Sequence, residues 1–210
     1  MLRIPLALGC SKQGHGDVLW AAAELAADAV AGAAEFSVHG LGEGARVLEL
    51  GAGLGLPSAV ALRLGAEVVA TDLWDHERLL ALSSTLALNL KLSTGGKARV
   101  MPHRWGDPCD LLCAEGLFQL ILCNDCLYMP DLHGALLDTI FACLAPDGLA
   151  LICFSLHQTA PASAIFGFFD LAKARGFRVE KLGEAQRAPR CANMALERSY
   201  VYVKTLRKRC

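Results

Sequence analysis

The chain has 210 residues, of which 54% are hydrophobic and 20% are charged, and its formal net charge is -1. A chain of this length can bury the core of one ordinary domain without help from disulfides or metal ions. Its balanced charge excludes the strongly basic surface with which proteins bind nucleic acids, and it has no apolar run of the ~20 residues that a membrane-spanning helix requires. We therefore expect a soluble, cytoplasmic protein with no nucleic-acid or membrane partner.

The first predicted elements are a helix and then a β-α-β unit. Apolar residues recur at helical spacing between Asp17 and Ala31. Two short segments, Ala45–Leu50 and Glu67–Asp72, are rich in apolar and β-branched residues and read as strands. Residues 57–66 between them have a helical pattern that ends at Gly65.

The same alternation of helices and strands continues to the end of the chain. Further helices are predicted at residues 75–90, 132–145 and 164–176, and further strands at residues 98–103, 118–125, 149–156, 177–183 and 199–206. The strand at 118–125 is apolar almost throughout, which is typical of a central parallel strand. The residues Pro146-Asp147-Gly148 predict a turn. The last strand alternates in polarity and is predicted to lie at an edge of the sheet.

Seven strands alternating with helices predict an open α/β sandwich. We expect a single domain over residues 1–210, with an N-terminal segment and helix in residues 1–32 and the sheet-containing core in residues 45–206. In such sheets, ligands bind beyond the carboxyl ends of the strands, near the point where the strand order reverses. The candidate site residues are therefore those that directly follow each strand.

The segment Glu49–Gly55, ELGAGLG, follows the first predicted strand. A dinucleotide-binding loop has the pattern GxGxxG, and Leu56 stands where its third glycine would be. The acidic Glu49 suits a ligand with an amino group better than a diphosphate. Asp72 ends the second strand about 20 residues later, the distance at which a carboxylate accepts the hydroxyls of a ribose. Together these residues predict an adenosine with an amino-acid tail, and S-adenosylmethionine fits that description.

Nine cysteines, most of them inside apolar segments, indicate a reducing compartment. Cys123 and Cys126 have the spacing of a redox or metal-ligand pair. No second pair has that spacing, because Cys109 and Cys113 are one residue further apart. We therefore predict that Cys123 and Cys126 are inert and that the protein holds no metal.

Four segments carry a resemblance to a known family. VLELGAGLGLPS, VVATD, HRWGD and LILCNDCLY resemble the seven-β-strand methyltransferases, and more narrowly the family 16 protein lysine methyltransferases. The most specific match is an Asp-x-x-Tyr pattern at Asp125 and Tyr128, and a Gly-x-x-x-Trp pattern at Gly16 and Trp20 also agrees. The resemblance covers nearly the whole chain. It implies a Rossmann-like, seven-stranded, mostly parallel sheet with an antiparallel last strand. It also implies an enzyme that methylates a lysine side chain of a protein, for which a translation factor is one candidate.

The resemblance further implies how S-adenosylmethionine is bound. The glycine loop would cradle the methionine part with Glu49 beneath it, and Asn124 would line the floor of the pocket. Asp72 would hold the ribose, Trp105 would pack on the adenine, and Trp20 would close the methionine end. The complete predicted cofactor-binding set is Trp20, Glu49, Gly51, Ala52, Gly53, Gly55, Asp72, Leu73, Trp105 and Asn124. Taken singly, Trp20 also fits an ordinary core position, and Trp105 also fits a cover over the sheet edge.

Asp125 and Tyr128 are the predicted catalytic residues. Methyl transfer needs a free electron pair on the acceptor and a straight approach, so positioning matters more than a strong acid or base. A lysine amine, with a reference pKa of ~10.4, must lose its proton or enter in its neutral form. Asp125 would hold the amine and Tyr128 would shape its pocket. The alternative is that Asp125 caps the helix entered near Pro130 and that Tyr128 is a packing residue.

The acceptor stays open at this stage. LICFSLH, which ends at His157, and FFDLAKARGF resemble the branch that modifies the N-terminal region of translation elongation factor 1-alpha, where the tyrosine of Asp-x-x-Tyr is usually absent. A single histidine is more often structural than catalytic. The alternatives to a protein lysine are a protein N-terminal amine, a small molecule resembling nicotinamide, and a non-catalytic cofactor-binding subunit. A monomer is expected, and whether residues 1–16 cover the cofactor is left open.

Overall fold

The structure is a computed structural model, and it describes residues 3–8, 18–33, 38, 41, 43–157, 159–186 and 199–209. The helices are α1 (Ala21–Val30), α2 (Leu56–Arg63), α3 (His76–Leu90), α4 (His133–Cys143) and α5 (Ala162–Ala174). The strands are β1 (Arg46–Leu50), β2 (Glu67–Asp72), β3 (Lys97–Pro102), β4 (Phe118–Asn124), β5 (Leu144–Ser155), β6 (Phe177–Gln186) and β7 (Tyr200–Lys208). Within these ranges, no helix has the length and apolar character that crossing a membrane requires.

The strands form one seven-stranded sheet in the order β3-β2-β1-β4-β5-β7-β6. All pairings from β3 to β5 are parallel, and β7 runs antiparallel to both of its neighbours. The predicted fold, a mostly parallel sheet with an antiparallel last strand, is confirmed. The strand order reverses between β1 and β4, which is the position where open α/β sheets place their ligands.

The prediction that the closing strand lies at an edge is wrong. β7 lies between β5 and β6, and the edges of the sheet are β3 and β6. Along β7, Val201, Val203 and Thr205 are buried, while the residues between them are less buried. This alternation shows that the two faces of the strand differ in burial. It carries no information about how many strands pair with β7, because backbone pairing does not depend on side-chain polarity.

The predicted turn at Pro146-Asp147-Gly148 lies inside β5 as an irregularity. Phe118 of β4 pairs with Leu144, and Leu120, only two residues later, pairs with Leu149. β5 therefore contains more residues than β4 over the same length of the sheet. The turn-forming residues lie within β5 at this change of register. β5 can therefore begin directly after the last residue of α4.

Two groups of buried side chains cover the two faces of the sheet. On one face, α1, α2 and α3 pack over residues such as Val47 and Leu122. On the other face, α4 and α5 pack over residues such as Leu48 and Cys123. Neighbouring strand residues therefore point into different layers, as the two-residue period of a strand requires. β4 is buried on both faces, which confirms its prediction as a central strand.

Residues 3–8 run along α3 without regular secondary structure. The amide of Ala7 donates to Thr85 Oγ1 at 3.0 Å, and Asn89 Nδ2 donates to the carbonyl of Pro5 at 2.9 Å. Ile4 packs against the first of the two cores. The described part of the N-terminal segment is thus attached to the outside of the helical layer. The predicted Gly16 lies outside the described residues.

Candidate active site

A cavity of about 620 Å³ lies at the carboxyl ends of the central strands. Its volume falls in the range of about 300–1,000 Å³ that is usual for small-molecule sites. The cavity wall includes every residue predicted from sequence to bind the cofactor or to act in catalysis, namely Trp20, Glu49, Gly51, Ala52, Gly53, Gly55, Asp72, Leu73, Trp105, Asn124, Asp125 and Tyr128. Residues 3–8 do not line it. The sequence analysis did not assign several other lining residues to the site, among them Arg78, His103, Arg104 and Met129.

The glycine loop between β1 and α2 forms one wall of the cavity. Gly51, Gly53 and Gly55 all have positive φ angles, of 67°, 51° and 73°. A Cβ atom on Gly51 would lie 3.2 Å from Cys126 Sγ and 3.3 Å from the ring of Trp105. Glycine is required here both for the left-handed backbone and for the space beside the loop.

Backbone N–H groups that a phosphate would need as donors already form hydrogen bonds within the protein. The amide of Gly53 donates to Asp72 Oδ2 at 2.8 Å, and the amide of Ser58 donates to Glu49 Oε2 at 3.0 Å. Pro57, in the first turn of α2, has no N–H to offer. A helix N-terminus binds anions through free N–H groups. At the start of α2, one of these N–H groups is missing at Pro57 and another is bonded to Glu49, whose carboxyl group lies close by. This helix start therefore suits a diphosphate poorly.

Glu49 is buried beneath the loop. Its Oε2 accepts the Ser58 amide, and its Oε1 accepts Asn124 Nδ2 at 2.8 Å. Burial raises the pKa of Glu49 to about 7, although the hydrogen bonds from Ser58 and Asn124 oppose the rise. Asn124 Oδ1 is buried and accepts no hydrogen bond from the described residues. An acid and an unpaired amide oxygen together form a set of acceptors that suits an ammonium group.

Asp72 is held at the end of β2 by three donors. Besides the Gly53 amide, the Leu73 amide donates to Oδ1 at 2.8 Å, and Arg78 Nη1 forms an ion pair with Oδ1 at 3.3 Å. A carboxylate offers about four acceptor positions, so Asp72 keeps acceptor capacity toward the cavity. Asp72 is not the cap of α3. Asp75 caps that helix, because its Oδ1 accepts the Arg78 amide at 2.9 Å.

The two tryptophans reach the cavity from opposite sides of the sheet. Trp105 follows β3 and packs partly on the core beneath α4. The next residue, Gly106, has a φ of 90°, and its amide donates to Thr139 Oγ1 at 2.9 Å, which fixes the turn to α4. Trp20 directly precedes α1 in an extended conformation, so that α1 begins at Ala21 rather than near Asp17 as predicted.

Asp125 directly follows β4 and forms hydrogen bonds with residues at the end of β5. Its amide donates to the Cys153 carbonyl at 2.8 Å, and its Oδ1 accepts the Ser155 amide at 2.7 Å. Asp125 has a φ of 52°, the one positive value at a non-glycine position within the described ranges. The alternative that Asp125 caps the following helix is wrong. α4 begins at His133 after a short 3-10 turn, and no side chain caps either element.

His157 follows β5 and completes this part of the cavity. Its Nε2 lies 3.2 Å from Asp125 Oδ1. Its ring meets Trp20 edge-on with a centroid distance of 5.2 Å and meets Tyr128 at 6.1 Å. Burial raises the pKa of Tyr128 above its ordinary value of 10, so the phenol stays protonated at neutral pH. An acid, an imidazole and two aromatic side chains therefore surround one end of the cavity.

The thiols of Cys123 and Cys126 are buried. Burial raises the pKa of both well above that of a free thiol. Cys126 Sγ also donates to the Leu50 carbonyl at 3.2 Å. Thiols react as thiolates, so this environment keeps both cysteines unreactive, in agreement with the prediction that they are inert. Among the residues that the structure describes, no group of histidine, cysteine and acidic side chains could hold a metal ion.

Comparison with known proteins decides the family. A family model described as lysine methyltransferase matches residues 8–172. The chain belongs to the lysine methyltransferase family. Two curated relatives, both protein N-terminal and lysine N-methyltransferases, come from Aspergillus fumigatus and Schizosaccharomyces pombe and are 32% and 30% identical. The matches cover 81% and 69% of this chain, and 68% and 59% of the respective relatives.

Solved structures of methyltransferases share the fold of this chain. A TehB-like SAM-dependent methyltransferase from Corynebacterium glutamicum has a TM-score of 0.60 and 19% identity, covering 88% of this chain and 87% of that one. The 1,6-didemethyltoxoflavin-N1-methyltransferase of Burkholderia thailandensis, solved with S-adenosylhomocysteine, has a TM-score of 0.59 and 24% identity, covering 90% and 79%. At these identities the likeness shows the fold and no more.

The cavity of the lysine methyltransferase fits S-adenosylmethionine, the cofactor of this class of enzyme, so the predicted cofactor is confirmed. Glu49 and the unpaired Asn124 Oδ1 provide acceptors for an ammonium group. The bare backbone at Gly51 leaves space that a side chain would fill. When it is bound, the cofactor supplies a methyl group carried on a positively charged sulfur.

Proposed function

We propose that this lysine methyltransferase methylates amine groups of a protein substrate, foremost the ε-amine of a lysine and also an N-terminal α-amine. The family supports a lysine acceptor, and the names of the two fungal relatives support both kinds of amine. The observation that carries the proposal is the group formed by Asp125, His157, Tyr128 and Trp20, which lines the same cavity as the glycine loop.

Glu49 and Asn124 are the proposed partners of the amino group of the cofactor. Burial makes the charged form of Glu49 unfavourable, and a nearby ammonium group favours it. Asp72 is proposed to accept ribose hydroxyls, with Leu73 beside it. Trp105 is proposed to pack on the adenine. In this arrangement the protein binds the whole length of the cofactor without using the start of α2 as a phosphate site.

The acceptor amine is proposed to enter between the aromatic side chains at the other end of the cavity. Cations are attracted to the faces of Trp and Tyr rings, and this attraction grows when water is excluded. The side chain of Asp125 is only 3% exposed, so its negative charge is little screened by solvent. Trp20 and Tyr128 limit the directions from which an amine approaches. The protein thereby aligns the nitrogen with the methyl group, which is the main requirement of this reaction.

We also propose that the protein is cytoplasmic and that its acceptor is a protein rather than a nucleic acid. The formal net charge of -1 gives no general attraction to phosphates. The six cysteines in the described part of the chain are free thiols, although Cys113 Sγ and Cys143 Sγ are only 3.6 Å apart. Thiols are kept reduced in the cytosol, where structural disulfides are rare. A monomeric state stays a prediction.

Labelled methyl groups test the proposal. The wild-type protein, incubated with a cell lysate and cofactor carrying a tritiated methyl group, is expected to label protein bands, and the label is expected in methyllysine or at N-termini after hydrolysis. Asp125→Asn is expected to lower this labelling by roughly 100-fold, while its affinity for S-adenosylhomocysteine, measured by calorimetry, changes less than about threefold. Asp131→Asn, an exposed acid six residues later that does not line the cavity, is the control.

Two results would contradict the proposal. Label that enters only small molecules would show that the acceptor is not a protein. Equal losses of labelling and of cofactor affinity in Asp125→Asn would show that Asp125 supports the cavity as a whole rather than the acceptor end.

A further inference from the structure

We infer that His157 is the catalytic residue that takes the proton from the incoming amine, and that Asp125 is a positioning residue that acts through His157. The inference rests on the proposed function and deepens it, because it concerns the acceptor end of the same cavity. It also revises the role that the sequence suggests for Asp125, which was to hold the amine directly.

The side chain of Asp125 is nearly enclosed, and its carboxylate already makes three polar contacts. Oδ1 accepts the Ser155 amide at 2.7 Å and lies 3.2 Å from His157 Nε2, and Oδ2 lies 3.4 Å from Ser155 Oγ. The side chain of Asp125 is 3% exposed, whereas that of His157 is 18% exposed. Of the two partners, His157 is the one that an entering group can reach.

The contact between Asp125 and His157 also determines which ring nitrogen of His157 is available to accept a proton. A carboxylate only accepts hydrogen bonds, so the hydrogen of a neutral His157 ring lies on Nε2 and points to Asp125. Nδ1 then carries the free electron pair, and it has no hydrogen-bond partner within the described residues. Asp125 therefore selects the form of the imidazole that can accept a proton. Its negative charge also stabilises the imidazolium that results.

Among the residues that the structure describes, no positively charged group contacts His157 to oppose its protonation. The titratable groups in contact with its ring are Asp125 and Tyr128, and Trp20 on the third side is uncharged. The other titratable side chains that line the cavity are Glu49, Asp72, Arg78, His103, Arg104 and Cys126. Of the two arginines, Arg78 is paired with Asp72.

The proton and the electrons balance in the following way. An N–H bond of the ammonium breaks, the proton moves to His157 Nδ1, and the nitrogen keeps the electron pair. That pair forms the new bond to the methyl carbon as the bond between this carbon and sulfur breaks, and the electrons of the broken bond stay on sulfur. The methylated amine now carries the positive charge that the sulfur has lost. His157 returns its proton to water through its exposed edge.

A pH series on three variants tests the inference. Initial rates of protein labelling are measured between pH 6.5 and 9.5 for His157→Asn, Asp125→Asn and His76→Asn, with a heat-inactivated lysate as acceptor. His157→Asn is expected to be roughly 100-fold slower than wild type at pH 7 and within about tenfold at pH 9.5, because solution then supplies neutral amine. Asp125→Asn is expected to show the same trend. His76, which is exposed and does not line the cavity, is the control and should show no change.

A second measurement does not depend on activity. Long-range ¹H–¹⁵N spectra of the protein saturated with S-adenosylhomocysteine are expected to show neutral His157 with its hydrogen on Nε2, and Asp125→Asn is expected to lose this preference. A loss of rate in His157→Asn that is equal at every pH, or a neutral His157 with its hydrogen on Nδ1, would overturn the inference. If the wild type labels no protein at any pH, the proposed function fails, and the spectra still decide the state of the pair.

Discussion

The buried side chain of Glu49 makes the free energy of unfolding depend on pH. Its carboxyl group is fully enclosed, and burial raises its pKa from 4.5 to about 7. The folded protein therefore binds a proton at this site between those pH values, while the unfolded chain does not. Linkage requires the free energy of unfolding to fall as the pH rises through this interval.

We predict that the cofactor-free protein is more stable at pH 5 than at pH 7.5 through this residue. The displacement of the pKa corresponds to roughly 3 kcal/mol, at about 1.4 kcal/mol for each tenfold change. Urea denaturation at both pH values, for wild type and Glu49→Gln, measures the effect. The variant is expected to lose this part of the pH dependence, and an unchanged dependence would show that other groups cause it.

The glycine loop gives a second prediction for a single residue. Gly51→Ala places a methyl group against Cys126 and Trp105 in addition to straining the left-handed backbone. Gly44→Ala is the matched control, since its φ of 76° is similar and nothing lies within 4 Å of the added carbon. Both variants should lose about 1–2 kcal/mol of stability through the backbone. Only Gly51→Ala should also bind S-adenosylhomocysteine roughly tenfold more weakly by calorimetry, and equal affinities would contradict the proposed role of the loop.

Among whole elements, the attachment of residues 3–8 to α3 depends on few contacts. Thr85 is fully buried and accepts the Ala7 amide, and Asn89 donates to the Pro5 carbonyl from the next turn of the helix. The Ala7 amide is partly buried, and a typical hydrogen bond contributes about 0.5–1.5 kcal/mol to stability. The side chains at this face of α3 therefore determine how firmly the segment is held.

Thr85→Val removes the acceptor while keeping the shape of the side chain. We expect a loss of about 0.5–1.5 kcal/mol in the free energy of unfolding and faster hydrogen exchange at the Ala7 amide, measured by NMR. Ser84→Ala, which removes an exposed hydroxyl bonded to its own helix at Leu80, should leave the Ala7 amide unchanged. Equal protection of Ala7 in all three proteins would mean that packing, rather than this hydrogen bond, holds the segment.

For the whole molecule, cofactor binding is expected to show as thermal stabilisation. A ligand at about 100 times its dissociation constant adds about 2.7 kcal/mol, and 1 kcal/mol corresponds to about 2–4 °C for a protein of this size. S-adenosylhomocysteine should therefore raise the melting temperature by about 5–10 °C. NAD should not, because Glu49 takes the Ser58 amide and Pro57 has no N–H at the start of α2. Stabilisation by NAD alone would overturn the assignment of the cavity.

From the sequence alone, the class of fold and half of the residues that line the cavity could be predicted. Helices and strands follow from hydrophobic periods of about 3.6 and 2 residues, which are local properties. The position of Glu49, the glycines, Asp72 and Asn124 at strand ends is also local. Because parallel strands end at the same edge of a sheet, residues far apart in the chain could be assigned to one site without coordinates.

Contacts between elements could not be predicted from the sequence and are seen only in the folded protein. The place of β7 between β5 and β6 depends on backbone pairing, which leaves no trace in side-chain polarity. The pairing of Arg78 with Asp72 depends on how α3 leaves the end of β2. Likewise, the contacts that Asp125 makes with Ser155 and His157 follow from the parallel register of β4 and β5. A sequence shows which groups reach a site, but distances of 3 Å are determined by packing between segments.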